Sequence, residues 1–238
     1  MSVWLTIPSA RPPAEAEKCL ALWRKQGYRI ALWRDMPAWD APSDPPCELM
    51  HVEPMYPGYA EAVNRLISQV MALDPHAEWF VTGGDDVEPD LNHTADEIAG
   101  QCRGALSDVA ATFGVMQPTG DRFANGSIDR IAGSPWIGRE FARRMYGGNG
   151  PYWHEYRHMF LDEELQCVAE KHGVFWQRRD LIHLHQHFMR ENAHLESMAV
   201  KRDIPPHLME ANSPEHWKKY QAIFKARKAA WFPGSEPL

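Results

Sequence analysis

Trp79-Phe80-Val81-Thr82-Gly83-Gly84-Asp85-Asp86-Val87-Glu88-Pro89-Asp90 runs from an apolar strand straight into an acidic turn. The four residues Trp79 to Thr82 read as a buried strand. Asp85, Asp86 and Glu88 follow at its carboxyl end, which in an open α/β sheet is the side of the ligand crevice. Carboxylates crowded there repel one another, and a cation relieves that repulsion. Hard oxygen ligands suit Mg²⁺ or Mn²⁺, ions often shared with substrate phosphates. Gly83 and Gly84 leave bare backbone where a ligand can approach.

The chain on either side supplies the sheet. Val3 to Ile7 is a short apolar run stopped by Pro8, and Tyr28 to Trp33 is a second. Between them Ala16, Cys19, Leu20, Leu22 and Trp23 recur at helical spacing, with Gly27 as the stop. This β-α-β unit implies a parallel pair with a right-handed crossover. Residues 36 to 47 read as loop and Glu48 to Val52 as a third strand. Tyr59 to Leu73 is expected to be a helix with Ala62, Val63, Leu66, Ile67, Val70 and Met71 inward. Further helices are expected over 94–106, 138–145 and 161–172, and strands over 109–116, 174–176 and 181–185. The expectation is α/β: one domain with a central, mostly parallel sheet and an irregular C-terminal part. Residues 1–210 are expected to form one unit. Residues 211–238 are a helical tail.

Composition narrows the class. Of the 238 residues, 44% are hydrophobic and 24% charged, as in globular proteins. A net charge of −7 argues against a surface that is basic all over and built for nucleic acid. Lys218, Lys219, Lys225, Arg227 and Lys228 are a basic concentration that reads as a solvated helix face, with a local basic groove as the alternative. Cys19, Cys47, Cys102 and Cys167 have no C-x-x-C spacing, so free thiols in a reducing cytoplasm are expected. No signal peptide is evident, and no run approaches the ~18 to 20 apolar residues of a membrane span. A cytoplasmic protein without a membrane anchor is the expectation.

Two further clusters carry chemistry. Leu161-Asp162-Glu163-Glu164-Leu165 opens a helix, where acids complement the macrodipole. A carboxylate held there is also suited to take a proton from an attacking hydroxyl. His183, His185 and His187 alternate, so on a strand all three would face one side. In the glycine-rich stretch, Trp136 and Arg139 suggest part of a ligand wall, and Trp153 another stacking surface.

Residues 3 to 190 resemble the GT-A glycosyltransferases, in particular the large inverting family 2, which implies that residues 1–210 are a catalytic domain with a nucleotide-binding half 1–90 and an acceptor half 91–210. Those proteins carry an apolar strand, Asp-x-Asp, an apolar residue, a variable residue and proline. Matched on Val87-Glu88-Pro89, Asp86 takes the last aspartate position, Asp85 the middle, and Gly84 stands where the first aspartate belongs. The resemblance implies Asp86 as metal ligand, with Gly84 and Asp85 at the cofactor. Thr6-Ile7-Pro8-Ser9 is similar to the nucleotide-binding opening, which implies Pro8, Ser9 and the nearby Arg11 at the donor. Asp35 matches the position that contacts the base, and Asn64 ends a Gly58-Tyr59-Ala60 stretch like the one before the family's acidic strand. Asp162 matches the aspartate of Glu-Asp-x-Glu-Leu and is implied as the base, with Glu163 behind it; Leu161 replaces the leading Glu. A C-terminal histidine, His183 or His185, is implied as a further metal ligand.

The function so implied is metal-dependent, inverting transfer of a sugar from a UDP- or GDP-sugar to a hydroxyl. The acceptor is a saccharide, a small molecule, a protein or a hydroxymethylated DNA base. Mn²⁺ or Mg²⁺ neutralises the leaving diphosphate, with Arg139 as a further phosphate contact. Trp136, Arg139 and Trp153 are the acceptor candidates. Three other readings stay open: a nucleotidyltransferase, a hydrolase whose metal sits on the three histidines, and a non-catalytic nucleotide-sugar-binding protein.

Overall fold

A computed structural model describes residues 1–35, 46–106, 112–121, 133–186, 210 and 213–238. The sheet strands are β1 (Ser2–Pro8), β2 (Arg29–Asp35), β3 (Leu49–Glu53), β4 (Ala77–Val81), β6 (Val115–Pro118), β7 (Trp136–Gly138) and β8 (Phe175–Arg178). Two short strands, β5 (Val87–Glu88) and β9 (Leu184–His185), pair separately. The helices are α1 (Pro13–Lys25), α2 (Tyr59–Leu73), α3 (Ala95–Ala105), α4 (Arg139–Arg144), α5 (Leu161–Lys171) and α6 (Pro214–Ala229). None is long and apolar enough to cross a membrane.

The large sheet has the order β3-β2-β1-β4-β7-β6-β8. All its pairings are parallel except those of β7, which runs antiparallel to both β4 and β6. Six strands therefore end on one rim, and β7 begins there.

Period-two alternation decides which face each side chain serves. On β1, Val3, Leu5 and Ile7 join a core with Cys19, Leu20 and Trp23 of α1 and Ile98 and Cys102 of α3. Trp4, between them, belongs to the opposite core, with Val63, Leu66, Ile67 and Val70 of α2. On β4, Trp79 and Val81 face the first core and Phe80 the second. Two apolar layers thus sandwich the sheet, as the near-continuous apolar runs of parallel strands require.

Local chemistry fixes the helix ends. Thr94 and Glu97 form a reciprocal capping box on α3. Ser213 caps α6, with Pro214 in its first turn. Gly27, at φ +91°, turns the chain from α1 into β2.

The expected α/β class is the one observed. The C-terminal helix, a tail in sequence, is part of the second core: Tyr220 and Phe232 are buried in it. The expected strand over 181–185 shrinks to Leu184–His185, and that over 109–116 is Val115–Pro118. All four cysteines are free thiols.

Candidate functional site

Gly83 is held at the end of β4 by Tyr59 of α2. The Tyr59 hydroxyl donates to Gly83 O at 3.0 Å and accepts from Gly83 N at 2.7 Å. Next to it, the Thr82 hydroxyl meets Tyr152 Oη at 2.6 Å. Gly83 has φ +147°, and a β-carbon on it would stand 2.9 Å from Gly133 O. Glycine is therefore required at this turn. Val87 then pairs with His185 across β5 and β9, and Gln186 N donates to Asp86 O at 2.7 Å.

The two aspartates of the turn have different fates. Asp85 is buried and accepts from Ser9 Oγ at 2.7 Å and Arg11 Nε at 2.6 Å. Arg34 Nη1 fixes that loop by donating to Ser9 O, Ser9 Oγ and Arg11 O at 2.9 to 3.0 Å. Asp86 is half-buried. Its Oδ2 lies 3.6 Å from Arg11 Nη2 and its Oδ1 3.5 Å from His185 Nε2. Both separations are ion-pair distances, longer than a hydrogen bond. His185 is itself steadied by its N–H, which donates to Asp121 Oδ2 at 3.2 Å. Arg11 is only 3% exposed, and its Nη1 and Nη2 have no hydrogen-bond partner among the described residues. These two buried guanidinium nitrogens, beside the half-buried Asp86 carboxylate, are suited to phosphate oxygens. Among the described residues no three His, Cys, Asp or Glu side chains gather as a metal cluster. Asp86 and His185 form a pair, which suits a cation that takes its remaining ligands from substrate and water.

Asp162 lies on the first turn of α5. Burial, then the neighbouring Glu163 charge, pushes its carboxyl up to about 8. Its side chain is only partly exposed. Glu163 is also raised by burial. The Asp162 charge in turn contributes to raising the phenols of Tyr59 and Tyr152, whose largest cause is burial. Asp162 therefore neighbours the two tyrosines that bracket Thr82 and Gly83. Two carboxyls thus mark this end of the sheet: Asp86, half-buried beyond β4, and Asp162, raised to about 8 near Tyr59 and Tyr152.

Several sequence-based assignments are corrected by their surroundings. Trp136 is fully buried in β7, between β4 and β6, and offers no wall to a ligand. Arg139 donates to Met71 O, Asp74 O and Ala77 O at 3.0 to 3.2 Å. Those carbonyls belong to the end of α2 and the start of β4, the edge opposite Gly83. Asn64 spends its amide on Tyr152, giving Nδ2 to its O at 2.8 Å and accepting its N–H at 3.2 Å. Trp153 lies 3.7 Å under the Arg227 guanidinium and packs on Tyr146. His183 is buried, with Nδ1 2.9 Å from Ser134 Oγ and its ring edge-on to Trp23. Burial lowers it to about 3, so it is neutral. His183 and His185 meet different partners, and His187 lies outside the described residues, as does the side chain of Asp35. Pro8 ends β1 opposite Trp33, next to Ser9.

Sequence reasoning passed over Tyr59, Tyr152 and Arg34 as site residues. Arg34 did carry a signal, a charge one residue before the end of a buried strand. Tyr59 stood inside the quoted Gly58-Tyr59-Ala60 stretch. Tyr152 gave no sign, because its partners lie 70 and 88 residues away.

No family model matches the sequence, and no curated protein matches it. Solved structures do. A mutant of Drosophila β-1,4-galactosyltransferase 7, in complex with manganese, UDP-Gal and xylobiose, has a TM-score of 0.47 at 12% identity, covering 85% of this chain and 81% of that one. A glycosyltransferase involved in glycosylation of the major capsid of PBCV-1 has a TM-score of 0.34 at 10% identity, covering 58% of this chain and 60% of that one.

Proposed function

We propose that this chain is a glycosyltransferase that moves a sugar from a UDP- or GDP-sugar to a hydroxyl acceptor, with inversion and with the help of Mn²⁺ or Mg²⁺. The observation that carries the reading is the division of labour between Asp85 and Asp86. Asp85 is buried and hydrogen-bonded to Ser9 and Arg11, whereas Asp86, half-buried and at ion-pair distance from Arg11 and His185, has the chemistry to ligate a cation. The bound cation would supply charge neutralisation for the departing nucleoside diphosphate. Asp86 and His185 would hold it.

The chain's own groups do the rest. The buried guanidinium nitrogens of Arg11 bind diphosphate oxygens, and Arg34 keeps that loop from yielding. Asp162, ionised, takes the acceptor's proton from its hydroxyl oxygen as that oxygen forms its bond to the anomeric carbon. The bond from that carbon to the diphosphate oxygen breaks on the other side, and the proton leaves on the Asp162 carboxyl. Tyr59 and Tyr152 exclude water from the turn between the two carboxylates. Saccharides, small molecules and hydroxymethylated DNA remain the acceptor classes to be assayed.

The test is a panel of UDP- and GDP-sugars, with Mn²⁺ or with chelator, read by thermal shift and by release of the nucleoside diphosphate. The reading predicts that at least one donor stabilises the protein only with metal and is turned over. Stabilisation by no donor would reject it. Asp86→Ala separates this reading from a histidine-metal hydrolase, because only the transferase loses its metal response.

A further inference from the structure

Phe160, which precedes α5, and Glu164, in its first turn, both pack on one side of the helix start. That side is turned to α6. Glu164 is 1% exposed and accepts from Tyr146 Oη at 2.7 Å, Tyr156 Oη at 2.8 Å, Arg227 Nε at 2.9 and 3.0 Å, and Arg227 Nη2 at 2.7 Å. Arg227 is fixed from behind, over the Trp153 ring at 3.7 Å and by an Nη2 donation to Pro233 O at 3.1 Å. Phe160 has φ +69°, a left-handed backbone that a bulky residue rarely adopts. It is held there against Trp217, with ring centroids 5.4 Å apart, and Phe224, at 5.7 Å. The residue before the helix and the fourth residue of the helix are thus both gripped by α6. Asp162 lies between them in sequence and faces away, towards Tyr59 and Tyr152.

A buried, forked ion pair fixes geometry more surely than it adds stability. We propose that Arg227 is a positioning residue: from the C-terminal helix, through Glu164, it sets the first turn of α5 in the orientation that presents Asp162 to the turn after β4. The inference rests on the reading of Asp162 as the proton acceptor. The side-chain contacts of Arg227 among the described residues are with Glu164, Tyr146, Trp153 and Pro233, away from the donor-side Ser9 and Arg11, so its effect falls on turnover and not on donor binding. The basic run in the C-terminal sequence, read at first as a solvated face, contains this one inward-facing member.

The test uses the full chain in three forms: Arg227→Met, Arg227→Lys and the double variant Glu164→Gln/Arg227→Met, which leaves no unpaired buried charge. Two quantities are read, kcat for Mn²⁺-dependent release of UDP or GDP from the donor that the wild type turns over, and Kd for UDP or GDP with Mn²⁺. Arg227→Met should lower kcat about 10- to 100-fold, as a small misplacement of a reacting group does, and leave Kd within about twofold. Arg227→Lys, which keeps charge but loses the fork, should recover only part of the rate. The double variant should stay slow. Wild-type kcat in Arg227→Met or in the double variant would overturn the proposal, as would parallel losses of kcat and nucleotide affinity. Amide exchange of residues 161–165 reports on the same turn without any donor. It should quicken in Arg227→Met while residues 82–86 stay as protected as before. Unchanged exchange at 161–165 also overturns the proposal, whereas a wild type that turns over no donor counts against the transferase reading alone.

Discussion

The carboxylate of Asp86 occupies the space that a side chain at Gly84 would need: a β-carbon there would stand 2.5 Å from Asp86 Oδ1. Any side chain at position 84 would therefore push the Asp86 carboxylate from its place. Gly84→Ala and Gly84→Asp should both displace the Asp86 carboxylate from His185. The expected result is a protein that melts within a few °C of the wild type and has lost its metal-dependent stabilisation by UDP- or GDP-sugars. Retention of that stabilisation by Gly84→Asp would show that the space is not needed.

Asp162 links stability to pH. Its folded carboxyl lies at about 8 against an ordinary 3.8, mainly through burial. The folded state thus holds this proton over a range in which the unfolded chain has released it. By linkage, the group's contribution is fully present below about pH 4, falls as pH rises, and levels off above about pH 8. Asp162→Asn removes the ionisation, so its melting temperature should exceed that of the wild type at pH 8 to 9 and match it near pH 4. A change of about 1 kcal/mol corresponds to roughly 2–4 °C in a chain of this size. The same variant should lose turnover. In the wild type, turnover should rise with pH along a limb near 8, set by the fraction of Asp162 that is ionised. Equal melting curves at both pH values would contradict the assignment.

Asn64 and Arg139 test the corrected roles by stability. Asn64→Ala strands the buried N–H and C=O of Tyr152, and each unsatisfied group costs about 1–3 kcal/mol. The melting temperature should fall by several °C. Thr82, bonded to the Tyr152 hydroxyl, should lose amide protection along with Tyr152.

Arg139→Ala should likewise lower the melting temperature, since three carbonyls at the end of α2 and the start of β4 lose their donor. It should leave affinity for UDP or GDP with Mn²⁺ unchanged, as measured by calorimetry. A weakened nucleotide affinity in a stably folded Arg139→Ala protein would return this residue to the phosphates.

What was legible in the sequence was what local pattern encodes. The apolar runs of β1, β2 and β4 and the inward stripe of α2 identified the parallel half, and the step from Val81 to Asp86 placed the acidic turn on its rim. The acids of α5 were legible too, being contiguous. Relationships carried by distant residues were not. Trp136 looked like a ligand wall in a glycine-rich stretch, yet it lies in a three-residue antiparallel strand whose Gly138 has no room for a side chain against Thr112 O. Arg139 shared that setting, and its acceptors lie more than 60 residues back. Glu164 stood among the catalytic candidates' neighbours with nothing to mark it as structural, because its counter-ion is 63 residues away. The alternating histidines promised a common face. A strand of only two residues, with His183 drawn inward by Trp23 and Ser134, divides them.

The most direct test of the account is an anomalous difference map from a crystal of the protein soaked with Mn²⁺ and UDP or GDP. The account predicts a manganese peak about 2.1 Å from an Asp86 carboxylate oxygen, close to His185 and in contact with a phosphate whose other oxygens meet Arg11. An Asp86 side chain turned away from the cleft, with manganese and nucleotide bound elsewhere or not at all, would contradict it.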